Sequence, residues 1–354
     1  MKHKHEVYPY RSMKYYPRYA VFEISLLCNM RCKHCGSRAG KPRINELTTF
    51  ECLDIAQQLI DMGLEYITLI GGEILLRPDW EKIARKFTDN GVTTTIITNA
   101  YKIDDQEIAQ IKYANLNSVN ISLDGLGETH NFIRNKKDAF DKILATFARF
   151  RNENIPFGVV TTILAKNFND LEAMHALMQQ EGAFAWQLQL ASPMGNAADD
   201  KDFLITPEQL PTLIEFIKEK KLIGDIKINI GDNLCFKGYE DGRYFTSNTR
   251  PNWPGCMAGL LVVGIDSVGN VKGCESLYDD KFIEGNLRTN SLTEIWHKKD
   301  AFAYNRNYQP EMLRGKCSGC KHAIYCGGGC RQLSYFTSGC CHESIYCPNT
   351  AQLG

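Results

Sequence analysis

The chain carries no net charge: 41 lysines and arginines balance 41 aspartates and glutamates. Nucleic acid and anionic membrane surfaces attract an excess of positive charge, so neither has an electrostatic case here. No apolar run approaches the roughly 20 residues that span a bilayer. The start, Met1-Lys2-His3-Lys4-His5-Glu6, lacks the apolar stretch of a secretory signal. Internal repeats and low-complexity stretches are also missing. These absences describe an ordinary soluble, cytoplasmic protein, and a composition of 44% apolar and 23% charged residues over 354 positions agrees.

Cysteine is what the chain has in excess, with fourteen. Cytoplasmic thiols stay reduced, so a disulfide framework does not explain them and metal does. Most stand in two groups. Cys28-x3-Cys32-x2-Cys35 follows an apolar segment near the N-terminus. Cys256 and Cys274, then Cys317-x2-Cys320-x5-Cys326-x3-Cys330 and Cys347, lie far downstream. Cys52 is separate: it shares a helix face with Ala56, Leu59 and Ile60 and reads as core.

Between these groups, β-rich runs at 19–25, 66–70, 93–97, 116–123, 158–164 and 185–190 alternate with helical stretches at 48–62, 78–90, 104–111, 137–151 and 171–180. Thr48 and Glu51 form a capping box for the first helix. Such alternation implies an α/β fold with a parallel sheet, open or closed, and in barrels of this kind the active site lies at the C-terminal strand ends. Past residue 230 the pattern changes to a hairpin over 260–265 and 270–274, a helix at 291–298, and loop threaded by cysteines. That tail needs its metal to fold. The chain thus divides into an extension (1–18), an α/β core (19–230) and an irregular cysteine-rich domain (231–354).

Three thiolates on one short loop can grip a four-iron cluster and leave one iron without a protein ligand. Spacing alone also admits zinc. The other strand ends carry companions: Gly71-Gly72-Glu73 after the second, Thr98-Asn99 after the third, Ser122-Leu123-Asp124-Gly125 with His130 and Arg134 after the fourth, and Leu190-Ala191-Ser192-Pro193 after the sixth. Together these resemble the radical SAM superfamily. The downstream cysteines, with Gly269 between Cys256 and Cys274, resemble its SPASM extension.

The resemblance implies a partial (β/α)6 TIM-like barrel followed by an irregular SPASM domain. It also implies three [4Fe-4S] clusters, one binding S-adenosylmethionine (SAM) and two auxiliary, with SAM itself as the second cofactor. Gly71, Gly72 and Glu73 would meet the methionine amino group and Arg134 the carboxylate, although a solvated surface arginine fits that position as well. Ser122 and Asp124 match the family's serine-containing strand end, while Asn99 and Leu190 match its ribose and adenine contacts. His34 stands where many relatives have an aromatic residue. By the same resemblance Cys256, Cys274 and Cys330 hold the first auxiliary cluster, and Cys317, Cys320, Cys326 and Cys347 the second. Cys235 fills the fourth place on the first, or that corner stays open to substrate. Cys340 and Cys341 flank Cys347 and could replace it, and a zinc ribbon is the alternative for the whole group. Glu275 directly follows the second SPASM cysteine, where sulfatase-maturating relatives carry a catalytic aspartate; it is a general base or a solvated loop residue.

The implied function is that of an enzyme: a peptide maturase that abstracts hydrogen with a 5′-deoxyadenosyl radical and forms an oxidative crosslink (carbon–carbon, ether or thioether) in a ribosomally made peptide. An epimerase using Cys235 as hydrogen donor, a formylglycine-forming sulfatase maturase, and an iron–sulfur electron carrier are the alternatives. The implied partners are the peptide or protein substrate and an electron donor such as flavodoxin or ferredoxin. About eighteen residues before the first strand leave no leader-binding domain, so leader recognition falls to the barrel or to a separate protein.

Overall fold

The computed structural model describes residues 15–232 and 255–347. One ten-stranded sheet runs through both halves of the chain. Its order is β10-β9-β8-β1-β2-β3-β4-β5-β6-β7, where β1 is Tyr19–Glu23, β2 Tyr66–Ile70, β3 Thr93–Thr98, β4 Ser118–Ser122, β5 Phe157–Ile163, β6 Ala185–Leu190, β7 Lys227–Ile230, β8 Val262–Ile265, β9 Asn270–Lys272 and β10 Gly285–Asn286. Strands β1 to β7 are parallel neighbours. The helices between them are α1 (Thr49–Asp61), α2 (Trp80–Thr88), α3 (Asp105–Ala114), α4 (Gly127–Arg134), α5 (Ala139–Asn152), α6 (Leu171–Glu181) and α7 (Leu210–Ile223). Among the described residues β7 does not pair with β1, so the sheet is the wall of a partial barrel.

Two features depart from the expected plan. A seventh parallel strand, β7, follows α7. Also, β8 of the C-terminal hairpin pairs parallel with β1, Phe22 beside Ile265, so the cysteine-rich domain extends the barrel's own sheet. Pairing across that separation leaves no local trace in a sequence.

Alternation along each strand sorts the two faces. Phe22, Leu69, Ile96, Val119, Val159 and Trp186 stand in neighbouring registers, all buried, and make the apolar layer against the helices. Opposite parity is largely polar. Tyr19 and Thr68 hydroxyls are 2.6 Å apart, Thr68 and Thr95 3.1 Å, and Gln189 donates to Thr162 at 3.2 Å. A parallel strand buried on both faces usually reads as a continuous apolar run. The polar alternation here instead marks a concave face that lines a cavity.

Helix starts follow local chemistry. Thr48 and Glu51 form the capping box on α1, and Asp104 with Glu107 caps α3 in the same way. Glu51 also accepts from Arg288 Nε at 2.6 Å, tying α1 to the C-terminal domain. Cys52 is fully buried in the core with Ala56 and Leu59. No helix among the described residues is long and apolar enough to cross a membrane.

Candidate active site at the strand ends

The first cysteine loop leaves the C-terminal end of β1 and is pinned from three directions. Gly40 N–H donates to Leu26 O (2.9 Å) and Cys28 N–H to Gly40 O (3.2 Å). Lys33 N–H donates to Ile133 O on α4 (2.9 Å). From beyond β6, Asn196 donates through its backbone to Cys35 O and through its side chain to Cys32 O, both at 2.8 Å.

The two glycines after β2 serve this loop directly. Gly72 N–H donates to Ser25 O at 2.8 Å and Glu73 N–H to Leu27 O at 2.7 Å. A side chain at Gly72 would run into the carbonyl oxygens of Leu26 and Leu27, and one at Gly71 into that of Ser25. These glycines therefore allow backbone to lie on backbone just ahead of Cys28. Replacing Gly72 with Ala should destabilise the protein by about 3 kcal/mol, the upper part of the overpacking range. An unchanged urea midpoint would contradict this packing.

Cys28, Cys32 and Cys35 line a cavity of about 210 Å³ together with Gly71, Gly72, Asn99, Ser122 and Arg134. Among the described residues no three His, Cys, Asp or Glu side chains converge as the ligands of a single metal ion do. The three thiols line this cavity together, a donor set that fits three corners of a four-iron cluster. Burial pushes the Cys28 thiol up to about 11, so cluster assembly must displace its proton.

Around this cavity the strand ends are cross-tied. Glu73 is buried; its carboxylate accepts from Thr98 Oγ1 (2.7 Å), Asn99 N–H (2.7 Å) and Leu75 N–H (3.2 Å). Burial raises its pKa, and those donors offset part of the rise. Asn99 donates to Asn29 Oδ1 at 2.8 Å, in the cysteine loop itself. Asp124, fully buried, pairs with Arg134 Nη2 at 2.6 Å and His34 Nε2 at 3.3 Å, and accepts from Thr162 N–H at 2.8 Å. Burial alone would raise the Asp124 carboxyl, but Arg134 and the adjoining histidines hold it below the usual range. Arg134 is not a solvated surface residue: it is buried, and Nη1 lies 3.9 Å from Cys32 Sγ. It stands at the end of α4, which begins at Gly127 without a side-chain cap. Burial brings His34 down to about 4, leaving it a neutral flat ring within the cysteine loop.

A second cavity of about 280 Å³ adjoins the first, sharing His34, Cys35, Ser37, Ile70 and Gly71. Its strand-borne residues, Glu23, Thr162 and Gln189, belong to the polar parity described above. Leu190 and Ser192 line it from the end of β6, and Glu275, Ser276 and Tyr278 from the C-terminal domain. Glu275 is buried here rather than solvated, with Oε1 3.0 Å from Lys272 Nζ and Oε2 without a hydrogen-bond partner. Burial raises its pKa well above the carboxylate range, and Lys272 offsets only part of that.

Three lining residues escaped sequence reasoning. Asp232 accepts from Leu190 N–H at 2.8 Å and is hydrogen-bonded to Cys330. Glu23 accepts from Arg43 and Tyr278, linking β1 to the C-terminal domain. Gln332 donates to Ser192 and, at 3.0 Å, to Met194 Sδ. A lone acid after a strand gives no signal, although the parity of Glu23 on β1 was readable. Cys235 lies outside the described residues.

Every cysteine among the described residues is a free thiol. The downstream ones fall into two neighbourhoods. Cys274 and Cys330 each feel the charge of Cys256, in addition to the burial that raises their thiols. Burial likewise raises Cys317 and, to about 12, Cys326, and Cys347 adds to both.

The family model of the radical SAM superfamily matches residues 22–178, and that of the iron-sulfur cluster-binding SPASM domain matches 256–321. The AdoMet-dependent heme synthase of Methanosarcina barkeri is 28% identical over 346 residues, covering 94% of this chain and 96% of the relative. Mycofactocin maturase MftC of Mycolicibacterium smegmatis is 28% identical over 327 residues, covering 90% and 79%. In fold, Streptococcus suis SuiB bound to precursor peptide SuiA matches with a TM-score of 0.77 at 16% identity, over 95% of this chain and 76% of SuiB. The two family models fall on the same two regions that the cysteines and the strand ends mark, and the chain carries a radical SAM domain followed by a SPASM domain.

Proposed function

We propose that this radical SAM enzyme modifies a peptide, using the larger cavity to present one side chain to the SAM site and forming an oxidative crosslink. When bound, the cluster and SAM supply a 5′-deoxyadenosyl radical that abstracts hydrogen from an unactivated carbon. Cys28, Cys32 and Cys35 would hold the cluster, with Gly71, Gly72, Asn99, Ser122, Arg134 and the Asp124 pair around SAM and Leu190 on its adenosine side. Glu275, which lines this cavity and whose Oε2 has no hydrogen-bond partner, would take the proton released as the substrate is oxidised. A flavodoxin or ferredoxin would supply the electron.

The observation that carries this reading is the absence of a free cation among the cavity's described lining residues. The cavity holds three carboxylates, Glu23, Asp232 and Glu275, and no lysine or arginine among its described lining residues. Nearby cations are already engaged, Arg43 with Glu23 and Lys272 with Glu275. A neutral peptide group suits that lining. A tetrapyrrole bearing several carboxylates, the reading suggested by the name of the heme synthase relative and its near full-length match, would find no free cation among the described lining residues to receive them.

The test is anaerobic turnover of the reconstituted enzyme with SAM and reductant, on candidate precursor peptides and, in parallel, on a carboxylate-bearing porphyrin. A peptide product lighter by two hydrogens is the expected result. Unchanged mass with an inverted residue would assign an epimerase, and loss of sulfur from a cysteine a formylglycine-forming enzyme. Turnover of the porphyrin alone would overturn the peptide reading, and absence of 5′-deoxyadenosine would leave an electron carrier.

A further inference from the structure

Resemblance leaves the first auxiliary cluster with three thiolates, and two adjacent cysteines, Cys340 and Cys341, without a role. The backbone around them resolves which one is near. Arg331 is buried; Nη1 donates to Cys341 O at 3.0 Å, and Nη2 donates to Asn305 Oδ1 at 3.1 Å. Asn305 Nδ2 in turn donates to Cys256 O at 2.6 Å and Ala258 O at 2.8 Å. Gly259 N–H reaches Gly273 O at 3.3 Å, which brings in the residue before Cys274. One guanidinium and one amide thus fasten Cys341 to the segments that carry Cys256 and Cys274. Cys341 also feels the charge of Cys256, whereas Cys340 Sγ accepts from His342 N–H at 3.4 Å.

A second observation points into the same space. The hydroxyl of Tyr304, the neighbour of Asn305, is enclosed and has no hydrogen-bond partner. It lies against Gly273, where any side chain would collide with it, and it feels Cys256, Cys274 and Cys341. A buried phenol is rarely left unpaired. Among the described residues it finds no acceptor, and the sulfur of a bound cluster is one.

We propose that Cys341 is the fourth thiolate of the first auxiliary cluster, with Cys256, Cys274 and Cys330, and that the Tyr304 hydroxyl donates a hydrogen bond to that cluster. On assembly the Cys341 thiol gives its proton to solvent and its sulfur forms the fourth iron–sulfur bond; no electron moves in that step. A fully ligated cluster offers substrate no iron corner, so its role is electron transfer. This assignment rests on the domain architecture and not on the peptide reading.

The decisive experiment compares Cys341→Ala, Cys340→Ala and Cys235→Ala after anaerobic reconstitution, by iron content and electron paramagnetic resonance. Cys341→Ala should lose about four of about twelve irons or show an oxidised [3Fe-4S] signal. Cys340→Ala should match the wild type. Unchanged iron and spectra in Cys341→Ala, or the loss appearing in Cys235→Ala instead, would overturn the assignment. Alkylation mapping of the wild-type protein decides the matter if Cys341→Ala fails to fold. Cys341 should be protected in the reconstituted protein and labelled after chelation, with Cys340 labelled in both; labelling of Cys341 in the loaded protein would refute the ligation. Tyr304→Phe should keep the iron count and move that cluster's midpoint potential to more negative values; an unmoved potential would remove the hydroxyl from the proposal.

Discussion

Cys32→Ala should abolish SAM cleavage. Cys32 is the most enclosed of the three loop thiols, 8% exposed, and Arg134 reaches its sulfur. Removing it leaves two thiolates for a cluster that needs three, so about four irons should be lost together with all 5′-deoxyadenosine. The rest of the loop is held by hydrogen bonds to its backbone, from Asn196 and Gly40, which the substitution leaves in place. The auxiliary irons should therefore survive. Retained cleavage in this variant would end the radical SAM assignment of the loop.

Asp124→Ala should cost roughly 3–5 kcal/mol of stability, the range for breaking a buried ion pair from one side. Asp124 is fully buried between Arg134, His34 and the Thr162 amide. Its loss leaves a guanidinium enclosed and unpaired, and a backbone N–H without an acceptor. Asp124→Asn should cost less, because the amide oxygen can still accept from Thr162. Urea denaturation of the two variants measures the difference. A loss below about 1 kcal/mol for Asp124→Ala would mean that water or rearrangement replaces the pair. Weaker SAM binding should accompany the stability loss, since the same arginine borders the cavity proposed to hold SAM.

The sequence disclosed the strand ends more fully than the connections between them. Six strands and the placement of Cys28, Gly71, Asn99 and Asp124 were readable because alternation and turn residues are local signals. Helix α4 was not, since eight residues starting at Gly127 with no side-chain cap offer little periodicity. The burial of Glu275 was also hidden: nothing local shows that Gly264, on β8, packs directly against its backbone. The seventh strand and the β1–β8 pair depend on contacts between distant segments, which hydrophobic pattern alone does not encode. Thr68, Thr95 and Gln189 did carry information. Their polar parity on strands expected to be buried marks the face on which the chemistry sits.

The pairing of β1 with β8 bears on how such enzymes can be cut and recombined. Deleting the C-terminal region would strip a partner from β1 and bare a row of backbone donors and acceptors beside Phe22 and Ile24, the kind of edge that recruits other chains. Glu23 would lose Tyr278 at the same stroke. The cluster-rich region is thus no detachable module but the lateral seal of the catalytic half, and chimeras between relatives should keep β1 and β8 from the same parent.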